Sequence, residues 1–470
     1  MLETDIAVVG AGPGGMAAAL AVIDVGATVT ICDEYPQPGG QFFKRSEASF
    51  VLEKKHLGSE HALGEKLRRA LSDRRVRLLS GALVWGAFSD RQLMVLHEGR
   101  SEVLRAKAIV LSPGAYDRPV PFPGWTLPGV MTAGGAQSLA KTQWIKPGSR
   151  MLLAGAGPFV LPVAASLLRA GVEIAAIVEA TRPQEWLPHA PALWGQWPRF
   201  AEAFAYRRML RQAGVPVFFG HKIIRAEGVD TVTAAVIGAV DRDWNARAGT
   251  ERRVAVDAIA TGYGFLPNIE LAENLECEMR WDSHGQTWFV DVSDTQATSR
   301  PGVFAAGEIT GIGGSAIALS EGEVAGLSAA EFIGLIDSAR ATRLREPHQR
   351  TRRHLQRFGD MVNELFAPRP GLWDALSTDA IICRCEEVTA DEVRHCVQEG
   401  CASIKEVKDW TRAGMGLCQG RVCRSLVTQT MALERSIEPA QVPRSHIRPP
   451  IKPVPIDVLV ASEEPEGAIR

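Results

Sequence analysis

Four cysteines near the end of the chain have the type and spacing to do chemistry. One residue separates the thiols of Cys383 and Cys385, four separate Cys418 from Cys423, and 32 lie between the pairs. Four thiolates offered from two loops suit a [2Fe–2S] cluster. The glycines around Cys418 let backbone N–H groups point at the sulfurs and stabilise their charge. Four cysteines also make a common zinc site, but zinc pairs usually leave roughly two to four residues between thiols, so the tight C-x-C favours iron–sulfur. Cys396 and Cys401 fall on the first helix of this module and at its end, and read as core or surface thiols. Cys32 and Cys277 have no partner pattern.

The second constellation is Gly10-Ala11-Gly12-Pro13-Gly14-Gly15, with glycine at each position of G-x-G-x-x-G. The apolar run Ile6–Val9 precedes it, a helix from Met16 to Val25 follows, and Thr28–Cys32 make a second strand ending at Asp33, 23 residues after Gly10. This is the context in which a glycine turn binds a dinucleotide. The first glycine allows the tight turn, the second a close approach of pyrophosphate, and the third helix–strand packing. The anion then sits on the helix N-terminus, and Asp33, or its neighbour Glu34, accepts from ribose hydroxyls. In the loop that follows, Gly39, Gly40 and Gln41 would let the backbone pass close to a flat ring system.

A second turn, Gly155-Ala156-Gly157-Pro158-Phe159-Val160, has Val160 in place of the third glycine, and Glu179 ends the next strand. A carboxylate there accepts ribose hydroxyls and repels a 2′-phosphate, so NADPH is disfavoured. NAD, ATP and a nucleotide domain kept only for its packing all remain open. No general base stands out: His56, His61 and His97 are isolated.

These motifs need a large scaffold, and the chain supplies one. At 470 residues it is long enough for about three domains. Its net charge of −2 gives no field that would draw nucleic acid or an anionic membrane. No apolar run approaches the ~18 residues of a membrane span, and no basic leader precedes the first strand. A cytoplasmic location is expected, with membrane association through partners left open, and eight cysteines then do not imply a disulfide framework. Residues 51–75 read as a basic helix, and 76–110 as an antiparallel meander leading into the buried strand Ala108–Ser112, which closes on Gly114. The proline-rich 118–125 fits neither helix nor central strand. Trp186, Trp194 and Trp197 mark an insertion, read as a satellite core or a subunit interface. Arg340–Arg357, with seven arginines and one acid, reads as a solvated basic linker or helix face, or as a docking surface. Thr389 with Glu392, and Ser403 with Glu406, are capping boxes that start two short helices.

The glycine turn, the paired glycines, Ser112-Pro113-Gly114, the exit Gly262-Tyr263-Gly264-Phe265-Leu266-Pro267-Asn268 and Ala305-Ala306-Gly307-Glu308 together resemble the glutathione-reductase-like flavoproteins with two dinucleotide-binding domains. The resemblance implies FAD in the first site, contacted by Glu308 where that family has aspartate. It implies no dithiol chemistry, because Phe42-Phe43-Lys44 stand where the disulfide reductases carry cysteines. A helix over Ala316–Ile336 would face the flavin with its N-terminus, which favours a reduced, anionic ring. The cysteine module resembles the bacterioferritin-associated-ferredoxin-like [2Fe–2S] domain.

Over nearly its whole length the chain resembles the alpha subunits of opine oxidases, D-hydroxyproline dehydrogenases and bacterial hydrogen cyanide synthase. The most specific segments are GAYDRPVPFPGWTLPGVMTAGGAQ from Gly114, CRCEEVT from Cys383, RAGMGLCQGRVC from Arg412 and RPPIKPVP from Arg448. The resemblance implies an α/β fold with a small helical C-terminal iron–sulfur domain. It divides the chain into a FAD domain (1–120 and 266–338) interrupted by a crossover (121–149) and an NAD-like domain (150–265). A basic linker (339–376), the [2Fe–2S] domain (377–435) and a tail (436–470) follow. It further implies an electron-transfer subunit whose partner, a D-amino-acid-oxidase-like flavoprotein beta subunit, oxidises an amino or imino acid or an opine such as hydroxyproline, octopine or nopaline. A small [2Fe–2S] gamma subunit and FMN at a subunit interface are compatible additions. The rival readings are an NADH-dependent reductase that passes electrons to a ferredoxin or other acceptor, and a scaffold subunit holding zinc and a redox-silent flavin.

Overall fold

In the computed structural model, residues 1–46, 60–72, 75–88, 91–193 and 197–461 are described. Strand β1 (Leu2–Val9) enters the core at Ile6, and the glycine turn passes it directly into α1 (Pro13–Ile23) and back to β2 (Val29–Asp33). α2 (His61–Ala70) is the described part of the expected basic helix; residues 47–59, with His56, lie outside the described residues. The alternating stretch that follows gives β3 (Val76–Ser80), β4 (Leu83–Phe88), β5 (Gln92–His97) and β6 (Arg100–Leu111).

Only the last three of these form the expected meander. β3 leaves it and pairs in parallel with β2, Val29 opposite Val76. Its alternation announced a strand but not a partner. β6 is 12 residues long and serves three neighbours: Arg100–Arg105 pair antiparallel with β5, Ala108–Leu111 run parallel to Ile6–Val9, and Ile109–Leu111 also run parallel to Val303–Ala305. The sheet order is β3-β2-β1-β6-β5-β4. After β6, β7 (Ala115–Asp117) leads into the proline-rich crossover, which has neither helix nor strand from Arg118 to Gly129.

The second sheet starts earlier than expected, inside the crossover, with β8 (Val130–Thr132) and α3 (Ala133–Ser138). β9 (Arg150–Gly155), α4 (Val160–Arg169) and β10 (Glu173–Glu179) form its βαβ unit. The 3₁₀ stretch Pro183–Leu193 and α5 (Trp197–Gln212) carry the insertion; Trp194 lies outside the described residues. β11 (Val217–Phe219) follows, then a three-stranded sheet of β12 (His221–Gly228), β13 (Val232–Ala239) and β14 (Arg252–Ala255), and β15 (Ala258–Gly262) returns to give the order β11-β10-β9-β15-β8.

The chain re-enters the first domain through β16 (Phe265–Pro267), which pairs with β7. α6 (Glu270–Asn274), the hairpin β17 (Met279–Asp282) and β18 (Thr287–Val290), and β19 (Val303–Ala305), parallel to β6, complete that domain. α7 (Ser315–Phe332) then lies backbone to backbone on α1. A Cβ at Gly322 would stand 2.0 Å from the Gly14 carbonyl oxygen and one at Gly326 2.5 Å from that of Ala18, so only glycine permits the crossing. The arginine-rich segment is not a linker but α8 (Ser338–Leu365), packed on α7. Arg345 is buried, donates to Ser328 at 2.9 Å and pairs with Glu331, and Arg352 donates to Asp294 at 2.9 Å, so two of the seven arginines are answered by acids of the flavin-type domain.

Ile381–Cys383 (β20) and Val388–Thr389 (β21) pair before α9 (Ala390–Gln398), α10 (Ile404–Thr411) and α11 (Cys423–Arg435). Both expected capping boxes are made, Thr389 with Glu392 and Ser403 with Glu406. The core of this module, Val393, Val407, Leu426 and Met431 among others, is continuous with that of the second nucleotide-type domain. The tail turns back to the first domain, where the Ile451 N–H donates to the Trp85 carbonyl at 2.8 Å. No helix among the described residues is long and apolar enough to cross a membrane.

Candidate functional site

The first glycine turn is built as the motif demands. Gly10 has φ +97°, and a Cβ there would meet the Ser112 carbonyl oxygen at 2.2 Å; one at Gly15 would meet the Gly10 carbonyl at 1.8 Å. At Gly14 it would press on Ser112 and Ala318. Gly12 differs: a Cβ there would find only the Cα of Gly40, at 3.9 Å, so its outer face is an open cradle beside Pro13 and the paired glycines. Asp33 is brought to this turn, accepting from the Ala11 N–H through one oxygen and from Tyr35 N–H at 2.8 Å through the other. Burial pushes its pKa up against those two bonds. Glu34 faces outward and pairs with Lys452 of the tail, and Gln41 donates to the Tyr35 hydroxyl at 2.8 Å. Gly114 has φ +77° with open space beside it, and its carbonyl accepts from Asn268 N–H at 2.9 Å, which ties the two connections between domains together.

Gly307, at φ +81°, turns the chain two residues after β19, against Ala318 and Ser112. The Glu308 carboxylate turns to the N–H of Gly314, the N-cap of α7, at 2.8 Å. The sequence reading missed Glu321, a buried acid within an apolar helix. It accepts from Gly307 N–H at 2.8 Å and from the Thr310 hydroxyl at 3.0 Å, fixing the turn against α7. Burial pushes both Glu308 and Glu321 up to about 7. The available signal was a carboxylate at Glu321, two residues before Glu323, in a helix otherwise dominated by Ala, Ser, Gly and aliphatic residues. The open cradle at Gly12, Asp33 at the strand end and the α7 N-terminus are what FAD requires, and the residues present fit it.

Beside the paired glycines, Lys44 donates to Ser138 at 2.8 Å and lies 4.8 Å over the Tyr35 ring; burial, then Lys141, pulls it down to about 8. Arg118 is buried, donates to the Gly285 carbonyl and leaves Nε and Nη1 without a partner among the described residues. Burial pulls it down to about 10.

In the second turn, Gly155 packs under Gly262, and Val160 fits between them with Cγ2 3.0 Å from the position of a Gly155 Cβ. Glu179 accepts from Gly157 N–H at 3.1 Å and from Thr181 N–H and hydroxyl at 2.9 and 2.8 Å; burial pushes it up to about 7. Gly157 has φ +109° and is covered by Phe366.

The four cysteines converge two by two. Cys423 lies against Cys383, and Cys418 against Cys385. The Cys423 thiol, with the N–H groups of Gly414, Glu386 and Cys385, holds Cys383 down to about 5 against burial. A Cβ at Gly416 would strike that of Cys385 at 2.2 Å, so glycine is required where the two loops meet. Among the described residues no three metal-binding side chains gather for a single ion. Four thiols in two pairs with glycine N–H donors are nevertheless a donor set that a binuclear iron–sulfur centre can use.

Cys396 and Cys401, expected as separate thiols, form a disulfide. α9 ends at Gln398, and Gly400, at φ +108°, turns the chain so that Cys401 N–H reaches the Cys396 carbonyl at 3.0 Å, leaving the Cα atoms 5.6 Å apart.

Comparison with known proteins finds relatives along nearly the whole chain. Residues 4–330 match the pyridine nucleotide-disulphide oxidoreductase family, and 378–463 the sarcosine oxidase A3 domain. The chain is 32% identical to an opine oxidase subunit of Rhizobium meliloti, over 99% of this chain and 89% of that one. It is also 32% identical to hydrogen cyanide synthase subunit HcnB of Pseudomonas aeruginosa, over 96% and 97%. The crystal structure of L-proline dehydrogenase from P. horikoshii shares the fold with a TM-score of 0.70 at 18% identity, covering 97% of this chain and 79% of that one.

Proposed function

Because this chain belongs to the pyridine nucleotide-disulphide oxidoreductase family, within which it groups with the opine oxidase subunit and with hydrogen cyanide synthase subunit HcnB, we propose that it is the electron-transfer subunit of a heteromeric dehydrogenase. It is a flavoprotein oxidoreductase; FAD in the first site and a [2Fe–2S] centre on the four cysteines are the finer reading. The substrate is an amino or imino acid or an opine, oxidised on a partner flavoprotein subunit.

The Gly10–Gly15 turn, Asp33, Gly40 and the Gly307–Gly314 loop would hold FAD, and Cys383, Cys385, Cys418 and Cys423 would hold the iron. When bound, the two groups supply acceptance of an electron pair and its onward passage one electron at a time. The chain's own residues do the positioning. Glu321 fixes the Gly307 turn and Gly416 lets the two thiol loops meet, while Arg424, next to Cys423, bonds to Glu273 of the flavin-type domain at 2.8 Å. That last observation carries the reading, since it ties the thiol loop to the flavin-type domain, as a relay between two centres needs. The test is iron and acid-labile sulfide on purified protein, with about two of each per chain expected. Stoichiometric zinc without iron–sulfur absorption would overturn the cluster and favour the scaffold alternative.

A further inference from the structure

The two glycine turns of this chain carry the same opening, G-A-G-P, but present different faces. Gly12 has φ −70° and an outer face that meets nothing but the Cα of Gly40, at 3.9 Å. Gly157 has φ +109°, and the ring of Phe366 stands 3.4 and 3.6 Å from where its Cβ would be. A dinucleotide lays its pyrophosphate over the second glycine because only bare backbone leaves room there and N–H groups supply the bonds. At Gly157 that place is filled by an aromatic ring, which offers a phosphate neither space nor a donor.

The ring is held from several sides. Phe366 is the C-cap of α8 and meets Trp186 edge to face, with centroids 5.5 Å apart. Three residues on, Arg369 pairs with Glu185, beside Trp186, and its guanidinium lies 5.2 Å over the ring of Trp244. Gly371 N–H then donates to the Asp243 carbonyl at 2.9 Å. Two segments distant in sequence, 183–187 and 366–371, thus close over the turn, joined to each other by an ion pair and an aromatic pair, while the cation–π contact anchors Arg369 to Trp244.

We propose that Phe366 seals the second nucleotide turn and is the specificity-determining residue that excludes pyridine nucleotides as electron donors, leaving this domain as a structural body. The proposal rests on the electron-transfer reading above and deepens it, because electrons would then enter only through the partner subunit.

The test is calorimetric titration of the full-length protein with NADH and with ATP, with NADH-driven flavin bleaching as a second readout. The unaltered chain should show no saturable binding up to roughly 1 mM, and Phe366→Ala should gain at least about tenfold in NADH affinity. Glu185→Gln, which releases Arg369 without altering an aromatic residue, should shift binding in the same direction and covers the case in which Phe366→Ala does not fold. Saturable NADH binding by the unaltered chain well below about 1 mM, or no gain in either folded variant, would overturn the proposal. Neither result depends on the amine substrate or the partner, so partner-dependent dehydrogenation would stand or fall separately.

Discussion

Arg424 donates to Glu273 at 2.8 Å, and the same guanidinium lies 3.7 Å from Glu270, a buried carboxylate with no hydrogen-bond partner among the described residues. Arg421 faces Glu270 at 3.8 Å from the other side, and Arg444 bonds to Glu273 at 3.1 Å. Through Arg421 and Arg424 these two acids of α6 join the flavin-type domain to the segment that carries Cys418 and Cys423, and through Arg444 to the tail. Burial alone would lower the pKa of Arg424, but Glu273 and Glu270 more than reverse this and raise it. Removing Arg424 leaves, among the described residues, buried Glu270 facing only Arg421, at 3.8 Å, and Glu273 bonded only to Arg444, so the buried charge is poorly compensated. Arg424→Ala should therefore cost about 3–5 kcal/mol, read as loss of cooperativity between the flavin-type and cysteine domains in chemical denaturation. A change below about 1 kcal/mol would place this network among ordinary surface pairs.

Gly12 and Gly15 should fail in opposite ways. A side chain at Gly12 meets only Gly40, so Gly12→Val should fold but lose FAD, visible as a colourless protein with unchanged far-UV circular dichroism. A Cβ at Gly15 would overlap the Gly10 carbonyl, so Gly15→Ala should cost stability whether or not flavin is added. Full flavin retention in Gly12→Val would show the site to be misplaced.

Cys418→Ser should abolish iron binding and leave the flavin spectrum intact, because the thiol loop and the glycine turn are separate segments. Joint loss of both groups would contradict that independence.

Glu179 should make stability fall with pH over a defined window. Burial holds its folded pKa at about 7, against an ordinary value of 4.5. The folded state then binds the proton more tightly than the unfolded state, so stability is full below 4.5 and declines as pH rises to about 7. Glu179→Gln should flatten the slope of Tm against pH across that window; an unchanged slope would assign it to other groups, Glu308 and Glu321 foremost.

What the sequence disclosed was local. The Gly10 turn, bounded by a strand and a helix, and the two capping boxes are contacts between residues close in sequence, and types and spacing suffice to read them. Gly400 sets the approach of Cys396 to Cys401 through its backbone angle, which composition does not show. The missed features are pairings between distant segments: β3 beside β2, α8 against α7, Arg424 with Glu270 and Phe366 over Gly157. Each residue looked ordinary in its own stretch and became informative only beside its partner.

The most direct measurement is anaerobic stopped-flow of the purified chain, alone and mixed with its candidate flavoprotein partner, following flavin bleaching after addition of amino acids, imino acids, opines or NADH. We expect no rapid bleaching of the isolated chain by any of them, and bleaching at an enzymatic rate once partner and substrate are both present. Rapid bleaching of the isolated chain by an amino acid would place the substrate site on this chain, and rapid bleaching by NADH would make it a reductase; either result would contradict the electron-transfer role.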